Sequence, residues 1–143
     1  MILEDEGATE DLGRRLAERA RPGDVIALSG PLGVGKTALV RAMLGAMGHE
    51  GEVPSPTFAI VQPYEALDPP VWHVDLYRIE DAGEIEELGL DEAEAGVLIV
   101  EWPERAGPNA FQHALRLILD FEGGAARSLT ASVPPAWKSR WPA

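Results

Sequence analysis

Lys36 and Thr37 close an eight-residue stretch, Gly30-Pro31-Leu32-Gly33-Val34-Gly35-Lys36-Thr37, that fits the pattern G-x-x-x-x-G-K-[ST] without a mismatch. Glycines at this spacing let backbone N–H groups turn inward around an anion with no side chain in the way. The lysine can then reach the β- and γ-phosphates of a nucleotide, and the threonine hydroxyl can bind Mg²⁺. Hydrolysis needs more: a second acid near the metal, a group that orients water, and a mobile element that senses the γ-phosphate. Two carboxylates stand at the ends of apolar runs, where a sheet of this kind presents its site. Asp75 lies at the end of Val71–Leu76, and Glu101 follows Val97–Val100. Either could ligate Mg²⁺, directly or through water, or accept a proton from attacking water. Either could also be an ordinary strand-end acid that caps a turn. Thr57 sits in the stiff run Pro54-Ser55-Pro56-Thr57, where a switch segment carries a hydroxyl to the metal or γ-phosphate, although a turn threonine fits as well. His73 alternates with Asp75 and so shares its strand face, either as a satisfied core or edge histidine or as an orienter of its neighbours. His49 and His113 have no carboxylate or histidine at ligand spacing, which argues against zinc.

The elements that would hold these residues follow from local pattern. Val25–Leu28 is a short, partly β-branched run that suits a buried strand, and Leu39, Val40, Met43, Leu44 and Met47 recur at helical spacing up to a C-capping Gly48. That helix, starting near Lys36, aims its positive dipole end at the glycine loop. Upstream, Thr9 reads as an N-cap before Glu10 and Asp11, with Leu12, Leu16 and Ala20 on one helix face and Pro22-Gly23 as the stop. Phe58–Val61 reads as a strand ending at Pro63-Tyr64, Val71–Leu76 as another, and Val97–Val100 as the most apolar. Between them, Ile79–Gly96 carries eight acids and no Lys or Arg, and reads as one or two short helices with Ile85, Leu88 and Leu90 inward. Ala114–Phe121 suits an antiparallel strand, with Gly123-Gly124 turning into Ser128–Val133. Two or three helices thus interleave with about seven strands, and some connections are too short for parallel crossovers. The expected fold is α/β: a single-domain, P-loop NTPase-like mixed sheet, parallel around the loop and antiparallel beyond it, flanked by helices. Residues 1–133 form the expected domain, and 134–143 a loosely held Pro- and Trp-rich tail.

Bulk composition narrows the function. There is no cysteine, which excludes disulfides, thiolate metal sites and thiol redox chemistry. The N-terminal Met-Ile-Leu-Glu-Asp-Glu lacks the basic and apolar regions of a signal peptide. No apolar run approaches the roughly 20 residues that span a bilayer, so the expected location is cytoplasmic and no membrane partner is expected. With 24 acids against 12 Lys and Arg, the net charge of −12 suits a soluble acidic surface and is ill-matched to nucleic-acid phosphates.

Five segments taken together resemble one family: the P-loop at 30–37, Ser-Pro-Thr-Phe at 55–58, His-Val-Asp-Leu-Tyr-Arg at 73–78, Glu-Glu-Leu-Gly at 86–89 and Val-Glu-Trp-Pro-Glu at 100–104. Their order and spacing resemble TsaE, also called YjeE, the small bacterial ATPase family of tRNA threonylcarbamoyladenosine biosynthesis. The resemblance covers about Glu6 to Gly107; beyond it the alternating strand and a lone Arg127 remain compatible. It implies ATP bound at Gly33, Val34, Gly35, Lys36, Thr37 and Ala38, and Mg²⁺ held by Thr37 and Glu101. It further implies a switch-like Thr57, a requirement for Asp75 in hydrolysis alongside Lys36, and Glu6 and Thr9 near the nucleotide base. The family acts with two partners, TsaD and TsaB. TsaD transfers the threonylcarbamoyl group to adenosine 37 of tRNAs reading codons that begin with A, while the ATPase sustains repeated turnover. A chain of charge −12 would meet tRNA only indirectly or weakly, whereas the acid-rich Ile79–Gly96 face could steer onto a basic partner, if it is not simply solvated. Trp102 could cover the nucleotide, dock on the partner, or belong to the core.

The rival readings are a small-molecule P-loop kinase and a nucleotide-dependent switch or scaffold. Between Thr37 and Glu101 the only arginines are Arg41 and Arg78, so there is no Arg-rich lid insertion of the kind a kinase uses. No Asn-Lys-x-Asp guanine-reading motif occurs, and intact Lys36, Thr37, Asp75 and Glu101 argue against a vestigial scaffold.

Overall fold

Val25–Ser29 is apolar on both faces and becomes a central strand of a seven-stranded mixed sheet. The structure is a computed structural model and describes residues 1–53 and 61–141. In chain order the elements are β1 (Ile2–Leu3), α1 (Glu6–Arg19), β2 (Val25–Ser29), α2 (Lys36–Ala46), β3 (Val61–Tyr64), β4 (Val71–Asp75), β5 (Val97–Glu101), β6 (Leu115–Gly123) and β7 (Ala126–Ser132). Short 3₁₀ helices cover Ala82–Leu88, Leu90–Ala95, Pro103–Ala106 and Pro135–Trp137. Across the sheet the order is β1-β7-β6-β2-β5-β4-β3. Strand β2 runs parallel to β5 and β6, and β4 parallel to β5, while β3, β7 and β1 add antiparallel at the two sides. This is the mixed α/β architecture that the sequence predicts.

Side-chain alternation splits the core in two. Ile26, Leu28, Val97, Ile99, Leu115 and Leu117 face α1 and α2, where Leu12, Leu16, Leu39, Val40, Met43 and Leu44 complete the larger cluster. Val74, Leu98 and Val100 face the other way, under Ile85, Leu88 and Leu90 of the two acidic 3₁₀ helices, which turn inward as expected. His73, Asp75 and Glu101 continue the helix-facing set at the strand ends. In the parallel register His73 pairs with Ile99 and Asp75 with Glu101, so the two carboxylates leave the sheet side by side.

Several local expectations need correction. Helix α1 begins four residues earlier than a Thr9 cap would allow, because Asp5 caps it and accepts a hydrogen bond from Ala8 N at 2.9 Å. Thr9 is therefore a first-turn residue. Strand β6 is antiparallel to β7 but parallel to β2, since it lies between them. The hairpin turn falls one residue late: Gly123 still pairs with Ala126, leaving Gly124-Ala125 as the turn. The described part of the tail, residues 134–141, is anchored to the fold. Trp137 is 1% exposed within the larger core, and Arg140 stacks on its ring at 4.1 Å while bridging both carboxylate oxygens of Asp24 at 2.7 and 2.9 Å. Pro63 falls within β3 and is tolerated because β3 is an edge strand. Thr57 and the expected strand start at Phe58 lie outside the described residues.

Candidate functional site

The loop between β2 and α2 is shaped by two glycine positions in particular. Gly30, at φ +145°, passes so close to β6 that a Cβ there would meet Leu119 O at 2.4 Å. Gly35, at φ +115°, caps α2 without any side chain, leaving the helix N-terminus open to an anion. Arg127 braces the loop from across the sheet, with Nε donating to Val34 O at 2.9 Å and Nη1 to Gly124 O and Ala126 O. The sequence offered Arg127 only as a lone basic residue; its partner is 93 positions away and invisible without the register.

Lys36 opens α2 and folds back over the loop, donating to Gly30 O and, at 3.3 Å, to Pro31 O. Its ammonium also lies 4.0 Å from the centroid of the Trp102 ring. Burial holds the Lys36 pKa below the ordinary lysine value, partly opposed by the charges of Glu101, Glu104 and Asp75. Thr37 Oγ1 stands 3.2 Å from both Glu101 carboxylate oxygens and donates into that pair. On the far side, His73 Nε2–H donates to Glu101 Oε2 at 2.6 Å, since a carboxylate oxygen accepts. His73 is fully buried, and its Nδ1 has no hydrogen-bond partner among the described residues. His73 is thus a buried histidine satisfied through Nε2, and the same hydrogen bond holds one oxygen of the Glu101 carboxylate.

Asp75 Oδ1 accepts from Tyr77 N at 2.9 Å. Burial raises the Asp75 pKa above the usual carboxylate range, the Tyr77 N–H opposes this, and repulsion from Glu101 adds to it. Beside it, Ser29 donates to Glu104 at 3.2 Å.

These side chains converge on a cavity of about 300 Å³ lined by Gly33, Gly35, Lys36, Thr37, Asp75 and Glu101, with Trp102 and Arg41 at its walls. A second cavity of about 870 Å³ shares Gly33, Gly35, Ala38 and Arg41 with the first, and extends between α1 and α2 past Glu6, Thr9 and Val34. Every expected site residue among those described therefore lines one or both cavities. Arg41, on the lining of both, is a further candidate that sequence spacing alone did not single out.

The donor set suits a hard cation that keeps part of its water. No group of three or more His, Cys, Asp or Glu able to hold a metal occurs among the described residues. A hydroxyl and one carboxylate beside a glycine-loop cavity would fit Mg²⁺, which usually takes one or two protein oxygens and completes its shell with phosphate and water. They do not fit zinc.

A glycine loop joining the central strand of such a sheet to an uncapped helix makes this an α/β protein with a P-loop NTPase-like fold. The family model for Threonylcarbamoyl adenosine biosynthesis protein TsaE matches residues 3–129. The chain belongs to the TsaE family. It is 43% identical over 114 residues to a tRNA threonylcarbamoyladenosine biosynthesis protein TsaE from Streptomyces coelicolor, covering 77% of each chain. It is 37% identical over 124 residues to the protein of that name from Bacillus subtilis, covering 85% of this chain and 77% of the other. The crystal structure of Bacillus subtilis YdiB superposes with a TM-score of 0.80 at 28% identity, covering 97% of this chain and 87% of the other.

Proposed function

We propose that this protein is a Mg²⁺-dependent ATPase serving threonylcarbamoyl modification of adenosine 37 in tRNAs that read codons beginning with A. It acts with TsaD and TsaB partners to sustain turnover rather than to make the new bond. The observation that carries the reading is the meeting of Lys36 and Thr37 with the paired strand-end carboxylates Asp75 and Glu101 in one small cavity. In this reading Gly33–Ala38 surround the phosphates, and Glu6 and Thr9 approach the base in the larger cavity. Thr37 and Glu101 would hold Mg²⁺, which when bound neutralises charge on the phosphoryl oxygens. Lys36 stabilises the developing negative charge at the phosphates. Asp75, with its pKa raised by burial, is suited to orient water and accept its proton, and Thr57 serves as the γ-phosphate sensor.

Among the described residues, Lys36 and Arg41 are the cations lining the phosphate cavity, which favours hydrolysis over the arginine-clamped transfer of a kinase. No described helix is long and apolar enough to cross a membrane, and the proposed location is the cytoplasm. A net charge of −12 favours docking on a basic protein over direct tRNA binding.

The isolated chain should hydrolyse ATP slowly, and the rate should change when TsaB and TsaD counterparts are added at stoichiometric amounts. An unchanged rate would remove the pathway assignment. Asp75→Asn should lower hydrolysis by at least about a hundredfold while stabilising the fold by roughly 0.5–1 kcal/mol. The gain has a definite pH dependence. Below the ordinary carboxylate range Asp75 is protonated in both folded and unfolded chains and the two proteins match. As pH rises past the unfolded value and through the raised folded value, the wild type accumulates the penalty of a buried charge that the amide lacks. Melting temperatures of the two proteins across that range check it.

A further inference from the structure

Strands β4 and β5 end in register, Asp75 beside Glu101, so the residues that follow them are forced together. Tyr77 comes two residues after Asp75 and Trp102 one residue after Glu101, and their rings meet in a tilted contact with centroids 5.0 Å apart at 46°. The same indole lies over Lys36, whose ammonium is 4.0 Å from the ring centroid. The Tyr77 ring in turn meets the Arg105 guanidinium at 5.5 Å. A line of alternating cation and aromatic contacts therefore runs from an exposed arginine to the phosphate-loop lysine.

Two features show that this arrangement is held in place. Trp102 adopts a left-handed backbone conformation, φ +59° and ψ +48°, which a side chain of this size takes only when its surroundings impose it. Its N–H donates to Leu28 O at 3.2 Å, and its carbonyl accepts from Arg105 N at 3.1 Å, so the backbone fixes where the indole starts. Tyr77 is anchored in turn by its N–H on Asp75. Yet Tyr77 is 39% exposed, more than core packing asks of a tyrosine. What its ring does in that position is contact and brace the Trp102 indole.

We infer that Tyr77 is a positioning residue for phosphate binding: it holds the Trp102 indole over Lys36, so that the ammonium meets the nucleotide from a desolvated, fixed position. Lys36 is 5% exposed, and its ammonium meets the Trp102 ring and the carbonyls of Gly30 and Pro31. A cation shielded from water attracts phosphate more strongly than a hydrated one. Loss of the brace frees the indole, admits water to the lysine and weakens the nucleotide complex. This inference rests on the proposed Mg-ATP site.

Calorimetry with Mg-ATP on the full chain tests it. Tyr77→Ala should weaken binding about threefold to tenfold, less than the loss of a whole desolvated cation–π contact because the indole itself remains, and Tyr77→Phe should restore wild-type affinity. Because Tyr77 acts through Trp102, adding Tyr77→Ala to a Trp102→Ala chain should cost nothing further. Acrylamide quenching should show one tryptophan more accessible in Tyr77→Ala than in the wild type, and this difference should vanish in the Trp102→Ala background. Equal affinity of Tyr77→Ala and wild type, or a full additive loss in the double variant, overturns the inference. Wild-type chain that fails to bind Mg-ATP overturns the underlying site instead, so the two failures are distinct. A variant that melts early is replaced by Tyr77→Leu, which keeps apolar bulk but loses the aromatic face and should show the same weakened binding.

Discussion

Lys36→Ala should abolish tight binding of Mg-ATP, with the affinity measured by calorimetry falling at least about a hundredfold. A hydrogen bond from a charged donor contributes about 1.5–3 kcal/mol, and an ammonium bridging two phosphates makes more than one, so two such losses reach that figure. The setting sharpens the effect. Lys36 is 5% exposed, with two of its donors already directed at Gly30 O and Pro31 O. Truncation therefore removes the charge and also the lysine's hydrogen bonds to Gly30 O and Pro31 O, of which Pro31 O keeps the Val34 N–H at 3.3 Å. Lys36→Gln separates the contributions, because its amide can still donate to one carbonyl but carries no charge. It should melt near the wild type and still fail to bind the nucleotide. Unchanged affinity in either variant would mean that the loop at 30–37 does not hold phosphate.

That loop was fully legible in the sequence, because its glycines, lysine and threonine are contiguous and their flanking strand and helix are strongly patterned. Asp75 and Glu101 were legible too, since each closes an apolar run, and period-two alternation puts a strand's last residue on a definite face. What sequence could not show was that the two run side by side: parallel register between β4 and β5 depends on the sheet, as do the His73–Glu101 contact and the pairing of Arg127 with Val34. Short elements were the least visible. Strand β1 has two residues and pairs with β7 at the far end of the chain, so no periodicity announces it. Thr9 resembled a helix cap because Ser and Thr commonly are, but Asp5 stands one turn earlier and takes that role. The anchoring of residues 134–141 is hidden from the sequence for a different reason. Pro-rich composition suggests a loose segment, whereas one buried indole and one guanidinium–carboxylate pair at Asp24 suffice to bind it to the start of the fold. Side chains that anchor a segment over a distance leave no local pattern.

Glu101→Ala should reduce hydrolysis by at least about a hundredfold and flatten its dependence on Mg²⁺, while leaving part of the nucleotide affinity in place. The reason lies in how many groups converge on one carboxylate. Glu101 is 2% exposed, accepts from Thr37 Oγ1 on one side and meets His73 Nε2 at 2.6 Å on the other. Among the described residues His73 has no second partner at Nδ1, and Glu101 is the one that satisfies that imidazole. Alanine therefore removes the proposed metal ligand and also strands a buried histidine, a loss worth about 1–3 kcal/mol of stability. Glu101→Gln keeps the volume and one acceptor oxygen for His73 but loses the anionic charge that would hold a divalent cation. It should fold close to the wild type and show the same loss of hydrolysis, which ties the defect to charge and not to damage. The nucleotide should stay bound more weakly in both variants, because Lys36, the loop amides and the α2 N-terminus remain to hold the phosphates. Hydrolysis measured at saturating ATP across a Mg²⁺ titration separates the outcomes. If Glu101→Ala turns over ATP at the wild-type rate, the carboxylate at the end of β5 is a structural partner of His73 and the metal is held elsewhere.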